Sequence, residues 1–273
     1  MMGNPFQRYR IDEGDHVDLG KIPTEDDSAF GGSKEEGKAR LLELADRLAV
    51  LQEKLYAQDE HRLLVVLQAM DTAGKDSTIR DVFNETNPMG VQATPFRQPS
   101  DEELAHDYLW RVHPHTPARG QIAIFNRSHY EDVLVVRVEG FAPEKQWKRR
   151  YRHIREFERM LADEGTTILK FYLHISKEEQ KRRLEERLEI PDKRWKFSIG
   201  DLATRQKWGD YMKAYEDAIA KTSTDDAPWY VIPADRRWYR KLAVAEIITD
   251  TLEGMDLAYP PEEPGLEGLV IPD

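Results

Sequence analysis

The sequence predicts an α/β domain in three layers, with a parallel sheet between two layers of helices and a helical lid. Two observations predict it: apolar runs of strand length at Leu63–Leu67, Ile122–Phe125 and Thr166–Ile175, and stretches of helical periodicity that alternate with them. A third is the way the first run passes directly into a small-residue turn ending Gly74-Lys75, where a buried parallel strand delivers a phosphate loop. A length of 273 residues with 40% hydrophobic content supports one such domain. We place it at residues 34–255 with the lid at about 177–207, between an irregular arm (residues 1–33) and a tail (residues 256–273) that is loop or arm.

Taken in order, the arm mixes charge, glycine and isolated aromatics without a period. From Ser33 to about Gln58, Leu41, Leu44, Leu48, Leu51 and Leu55 alternate spacings of three and four, the apolar stripe of a helix packed on a sheet. Two heptads are too few to sustain a coiled coil.

The stretch LLVVLQAMDTAGKDS (residues 63–77) matches G-x-x-x-x-G-K-[ST] only in part. Gly74 and Lys75 are in place, Ala69 stands at the first glycine and Asp76 at the hydroxyl residue. Ala73, Gly74, Asp76, Ser77 and Thr78 then supply backbone N–H groups and hydroxyls to an anion at a helix N-terminus, with Lys75 as the mobile charge and Arg80 one turn beyond. Asp71 is the unusual member. A carboxylate 4 Å from a phosphate charge is repelled by about 4 kcal/mol at an effective dielectric near 20. A bridging Mg²⁺ reverses the sign of that interaction.

After this helix, residues 84–100 carry Pro88, Gly90, Pro95 and Pro99 and form a loop on the substrate side. Ser100 and Glu103 make a capping box, opening a helix expected to run to about His113 with Arg111 in its last turn as a candidate substrate-binding group. His113 and His115 lie beside prolines with no third ligand in view and are assigned no metal. The second strand ends in Asn126-Arg127, followed by a Ser-His-Tyr-Glu-Asp cluster at the start of the next helix. Strand carboxyl ends hold ligands in α/β sheets, so Asn126, Arg127, Glu131 and Asp132 are candidate substrate-binding groups.

Trp147, Tyr151, Ile154, Phe157 and Leu161 mark the buried face of a long helix that Gly165 ends before the next strand. In the lid, Arg183 and Arg187 share one helix face, and Lys193 and Lys196 follow the turn at Pro191. These groups are placed to neutralise phosphate charge, although Glu185 and Glu186 would equally suit a salt-bridged surface helix. A helix with Trp208, Tyr211 and Tyr215, a strand Trp229–Pro233 and a helix Trp238–Leu252 complete the domain.

The net charge of −11 argues against a general nucleic-acid binder, so any polyanion must meet a local basic site. With no cysteine, disulfides and thiolate metal sites are excluded. The first residues lack the apolar core of a signal peptide, and no apolar run reaches membrane-spanning length, so the expected compartment is cytoplasmic without membrane association.

From residue 35 to about 255 these motifs together resemble the polyphosphate kinase 2 family: DTAGKDSTI at Asp71–Ile79, FNRSHYEDV at Phe125–Val133, ISKEEQ-x-RR in the lid and APWYVIPAD near the last strand. The resemblance implies a P-loop kinase-like fold and Mg²⁺-dependent phosphoryl transfer, with Mn²⁺ as a substitute, between inorganic polyphosphate and adenine or guanine nucleotides. It also implies a homo-oligomer, a dimer or a tetramer. By matched position, Asp71 is similar to the family's metal-binding carboxylate, Lys75 to its phosphate-loop lysine and Arg127 to its second-motif arginine, with Arg183 and Arg187 in the lid. Asn126 replaces the aspartate of many members and resembles the subgroup that accepts both nucleoside mono- and diphosphates. Residues alone leave open an ATP-dependent nucleoside monophosphate kinase and a nonenzymatic nucleotide or phosphate sensor.

Overall fold

The protein was analysed as a computed structural model, which describes residues 4–266 and 269–271. At its centre is a six-stranded sheet in the order β1-β6-β5-β2-β4-β3. Its strands are β1 (Arg10–Ile11), β2 (Arg62–Gln68), β3 (Val91–Pro95), β4 (Ile122–Asn126), β5 (Thr166–His174) and β6 (Trp229–Pro233). Every pairing is parallel except β1 on β6. The central strand β2 is buried from Leu63 to Gln68, which is why its sequence is an uninterrupted apolar run rather than an alternating one.

Helices cover both faces: α1 (Lys34–Gln58), α2 (Lys75–Val82), α3 (Asp101–Ala105), α4 (Val135–Val138), α5 (Glu144–Asp163), α6 (Lys177–Glu189), α7 (Ile199–Gln206), α8 (Trp208–Thr222) and α9 (Arg237–Glu253). Helix α1 starts at a reciprocal Ser33–Glu36 capping box and buries Leu44, Leu48, Leu51 and Leu55. It packs against α9, itself buried along Leu242, Val244, Ile247 and Ile248. On the opposite face, α5 sets Tyr151, Ile154, Phe157 and Leu161 against the core, the spacing that predicted it.

Three segments differ from expectation. Residues 91–95, expected as loop, form the edge strand β3, and proline is tolerated there because an edge strand leaves one row of N–H groups unpaired. The helix begun at Ser100 stops at Ala105 instead of continuing to about His113, and the chain goes on through turns to a single 3₁₀ turn at His113–His115. Residues 4–33 are less irregular than expected. Phe6, Tyr9, Val17 and Leu19 are buried, Arg10–Ile11 adds a strand to the sheet, and the Tyr9 hydroxyl lies 2.5 Å from that of Tyr239. Of the arm, residues 1–3 lie outside the described residues, as do 267, 268, 272 and 273 of the tail. No helix among the described residues is long and apolar enough to cross a membrane.

Candidate active site

The parallel strands β2, β4 and β6 end on the same side of the sheet, and the loops that leave them enclose a cavity of about 690 Å³. Eleven Lys or Arg side chains line it against four carboxylates, Asp71, Asp76, Glu186 and Asp201. A protein of net charge −11 thus keeps a basic chamber at the carboxyl edge of its sheet.

The floor is the phosphate loop. Leaving β2, the chain takes a left-handed turn at Thr72 (φ 65°) and again at Gly74 (φ 107°), and the first residues of α2, Lys75, Asp76 and Ser77, line the cavity. Gly74 is required twice. Its φ is one that other residues adopt at a cost, and a Cβ there would lie 2.4 Å from Arg240 Nη1. Lys75 opens α2 and is buried, with Nζ donating to Ala69 O at 3.1 Å. Burial, and secondly the charge of Arg127, push its ammonium down to about 8.

The wall is the loop after β4. The Arg127 N–H donates to Leu67 O at 3.0 Å, holding this non-glycine residue in the left-handed region at φ 62°. A residue kept there against its preference marks a position fixed by its surroundings. The Arg127 guanidinium donates to Asp71 Oδ1 at 3.0 Å and lies 4.0 Å from Glu131, the carboxylate chiefly responsible for raising its pKa. Asn126 Nδ2 donates to Asp76 Oδ1 at 2.7 Å. These two cross-links tie the ends of β2 and β4 into one unit, and each leaves the second oxygen of its carboxylate free of that bond.

The roof is basic. Arg187 on α6 donates to Lys196 O at 2.9 Å and lies 3.3 Å from Asp201 on α7. Lys193 pairs with Glu186 and faces the cavity. Arg80, on α2, reaches the cavity margin while paired with Asp81 at 2.7 Å.

With this geometry in place, the comparison with known families is decisive: a family model described as polyphosphate kinase 2 matches residues 31–260. The chain belongs to the polyphosphate kinase 2 family. It is 56% identical over 266 residues to a protein of Meiothermus ruber named AMP/ADP-polyphosphate phosphotransferase, covering 97% of this chain and all of the relative. It is 45% identical to an ADP-polyphosphate phosphotransferase of Rhodopseudomonas palustris, over 94% of this chain and 93% of the relative. The crystal structure of polyphosphate kinase 2 from Arthrobacter aurescens superposes with a TM-score of 0.92 at 46% identity, covering 95% of this chain and 93% of that one.

Around this cavity, several residues singled out from sequence have different surroundings from those expected. Arg183 is not a free lid arginine. It is 4% exposed, its Nε donates to Glu179 at 2.7 Å, and its terminal nitrogens donate to the carbonyls of Thr72, Ala73, Ala234 and Asp235. It borders the cavity with its N–H groups already spent, joining the phosphate loop to the end of β6 with Glu179 as its counter-charge. The Ser77 and Thr78 hydroxyls both donate to Gly74 O, so they face the loop's own backbone. Asp132 pairs with Arg150 at 2.9 Å and does not border the cavity; burial raises its carboxyl to about 6. Arg111 also stays off the cavity, donating to Arg97 O at 2.8 Å and lying over the Phe96 ring.

Sequence reasoning missed Arg240, Arg237 and Lys241 of α9, and Arg97 after β3. The available signal was the basic start of α9 immediately after a strand's carboxyl end, the position already used for Arg127.

For a metal, Asp71 offers a hard carboxylate oxygen beside the cradle, which suits Mg²⁺ because that ion is commonly held by one or two carboxylates plus substrate phosphates and water. No group of three or more His, Asp or Glu side chains able to hold an ion occurs among the described residues.

Proposed function

We propose that this enzyme transfers phosphoryl groups from inorganic polyphosphate to AMP and ADP, and to GMP and GDP, giving the corresponding di- and triphosphates. The observation that carries the reading is the charge of the cavity, eleven cations against four carboxylates in an acidic protein. A single nucleotide does not need so many cations, whereas a polyphosphate with one charge on every phosphate does. The names of the relatives from M. ruber and R. palustris support the donor and the acceptors.

The donor chain lies between Lys75, Arg80 and the roof cations Arg187 and Lys193, and the acceptor phosphate lies toward Asn126 and Arg127. An oxygen of the acceptor's terminal phosphate attacks the end phosphorus of the polyphosphate. That P–O bond forms as the bridging P–O bond breaks, and the shortened chain leaves carrying the negative charge. Lys75 meets the developing charge where β2 ends, and the left-handed turns hold the loop amides toward the transferring group before substrate arrives. Asp71 holds Arg127 in place and is the group that would hold Mg²⁺ or Mn²⁺, which would supply neutralisation of phosphate charge. One phosphoanhydride is exchanged for another, so the reaction runs in both directions. Residues 177–207 serve as the lid that excludes water, and the enzyme works in the cytoplasm as a homo-oligomer.

Polyphosphate labelled with ³²P, supplied with unlabelled AMP and Mg²⁺, tests the reading: label is expected in the β-phosphate of ADP. Label that stays in polyphosphate, with AMP phosphorylated only when unlabelled ATP is added in a second reaction, would make the chain an ATP-dependent nucleoside monophosphate kinase.

A further inference from the structure

The phosphate loop rests on a guanidinium that no carboxylate neutralises. Arg240 of α9 is 1% exposed. Its Nε donates to Thr78 Oγ1 at 2.9 Å, its Nη1 to Ala73 O at 2.6 Å and its Nη2 to Ser77 Oγ at 2.9 Å. All three partners are neutral, and among the described residues no carboxylate pairs with it. The charged groups bearing on it most strongly are Arg183 and Arg237, both repulsive, and Asp81, which is already paired with Arg80 and Lys241. Arg183 touches the same Ala73 carbonyl but has Glu179 as counter-charge.

A buried charge is ordinarily paired, since an unpaired one is costly to desolvate. Burial accordingly lowers the Arg240 pKa to about 9, leaving it a cation at neutral pH. Its position suggests what stands in for the missing counter-ion. The guanidinium packs directly against Gly74 at the edge of the cavity that the loop also lines, so close that only a glycine fits there.

We propose that Arg240 is a positioning residue and a fixed positive charge for the anion cradle, completed only when a phosphate of the donor chain or nucleotide occupies the loop. This rests on the polyphosphate-dependent function proposed above. Two consequences are built into the contacts. Arg240 and Gly74 O together engage the Ser77 and Thr78 hydroxyls, which fixes both side chains against the loop's own backbone. The charge also acts through the loop without moving, so it favours any oligophosphate and does not discriminate between bases.

The test compares tripolyphosphate binding, by calorimetry at pH 6.5, for wild type, R240K and R240M, with polyphosphate KM and kcat measured alongside and thermal unfolding as the check on folding. R240K keeps the charge and loses most of the hydrogen bonds. It is expected to bind within about threefold of wild type, whereas R240M binds about tenfold or more weakly, with the loss falling on KM more than on kcat. R240M binding as tightly as wild type overturns the proposal, and so does a folded R240K that has lost about tenfold or more. If R240M does not fold, R240Q, which removes the charge and keeps an N–H donor, takes its place with the same expected and overturning outcomes. Failure of the wild-type protein to bind tripolyphosphate would count against the donor assignment itself, an outcome distinct from equal binding by all three proteins.

Discussion

Asp71 Oδ1 accepts a 3.0 Å hydrogen bond from Arg127 Nη2, joining the loop after β2 to the loop after β4 across the mouth of the cavity. A carboxylate that would repel a phosphate on its own thereby carries an arginine toward it and keeps its other oxygen free of that bond. Replacing Asp71 with Asn removes the charge while keeping the shape. We expect a folded protein whose thermal midpoint changes by a few degrees and whose kcat falls about 100-fold or more. Steady-state kinetics with AMP and polyphosphate measure it, and wild-type turnover in D71N would remove Asp71 from the mechanism.

Lys75 gives the pH dependence. Its buried ammonium has a pKa lowered to about 8, so the free enzyme loses this cation as pH rises through 8, and kcat/KM for polyphosphate should fall above that point. The stability sign follows from the same shift. The unfolded lysine holds its proton to about 10.4, so the folded state binds fewer protons between about pH 8 and 10 and this group's contribution to stability rises with pH across that window. A bound polyanion reverses the shift. Calorimetry at pH 8.5 in two buffers of different ionisation enthalpy should therefore record more proton uptake on tripolyphosphate binding by wild type than by Lys75→Met, the difference reporting Lys75.

Asn126 and Asp76 make a neutral–anionic pair at 2.7 Å, where a second carboxylate would place two like charges in contact. Asn126→Asp is expected to lower stability by about 1–2 kcal/mol at pH 8. Repulsion raises the folded-state pKa of the dyad above its unfolded value, so the loss shrinks as pH falls through that raised pKa. Denaturant unfolding at pH 8 and pH 5 tests this, and an equal loss at both values would show that the charges do not interact.

Below the Arg127 loop, Lys170 and Glu158 form a fully buried pair at 2.6 Å, with Tyr130 donating to Glu158 at 2.8 Å and receiving from Lys170 at 2.9 Å. Removing one partner leaves an uncompensated buried charge. Lys170→Met alone should cost about 3–5 kcal/mol, and adding Glu158→Leu should recover a large part of it. Urea denaturation of the single and double variants decides, and additive losses would contradict the coupling.

How much of this was legible in the sequence depended on whether the signal was local. The strands around Val65 and Ile124, the helix from Ser33 to about Gln58 and the Gly74-Lys75 turn are set by neighbours in sequence, and their elements are where periodicity and turn chemistry put them. Residues 91–95 have mixed polarity because an edge strand is only partly buried, and three nearby prolines hid it. Arg183 and Arg187 look equivalent as a four-residue pair, yet their roles separate because a long-range contact, Arg183 to the Ala73 carbonyl, decides which way the side chain turns. Arg240 was invisible for the same reason: its partners lie more than 160 residues away in sequence.

The central claim is that the basic cavity over the phosphate loop transfers phosphate from polyphosphate to a nucleotide, with Lys75 meeting the transferred charge. The most direct measurement is the initial rate of ADP formation from AMP and long-chain polyphosphate, without ATP, at pH 7 for wild type and Lys75→Ala side by side. Rapid ADP formation by the wild type and a rate lower by about 100-fold or more in a folded Lys75→Ala is the expected result. Equal rates in the two proteins, or no ADP from the wild type, would contradict it.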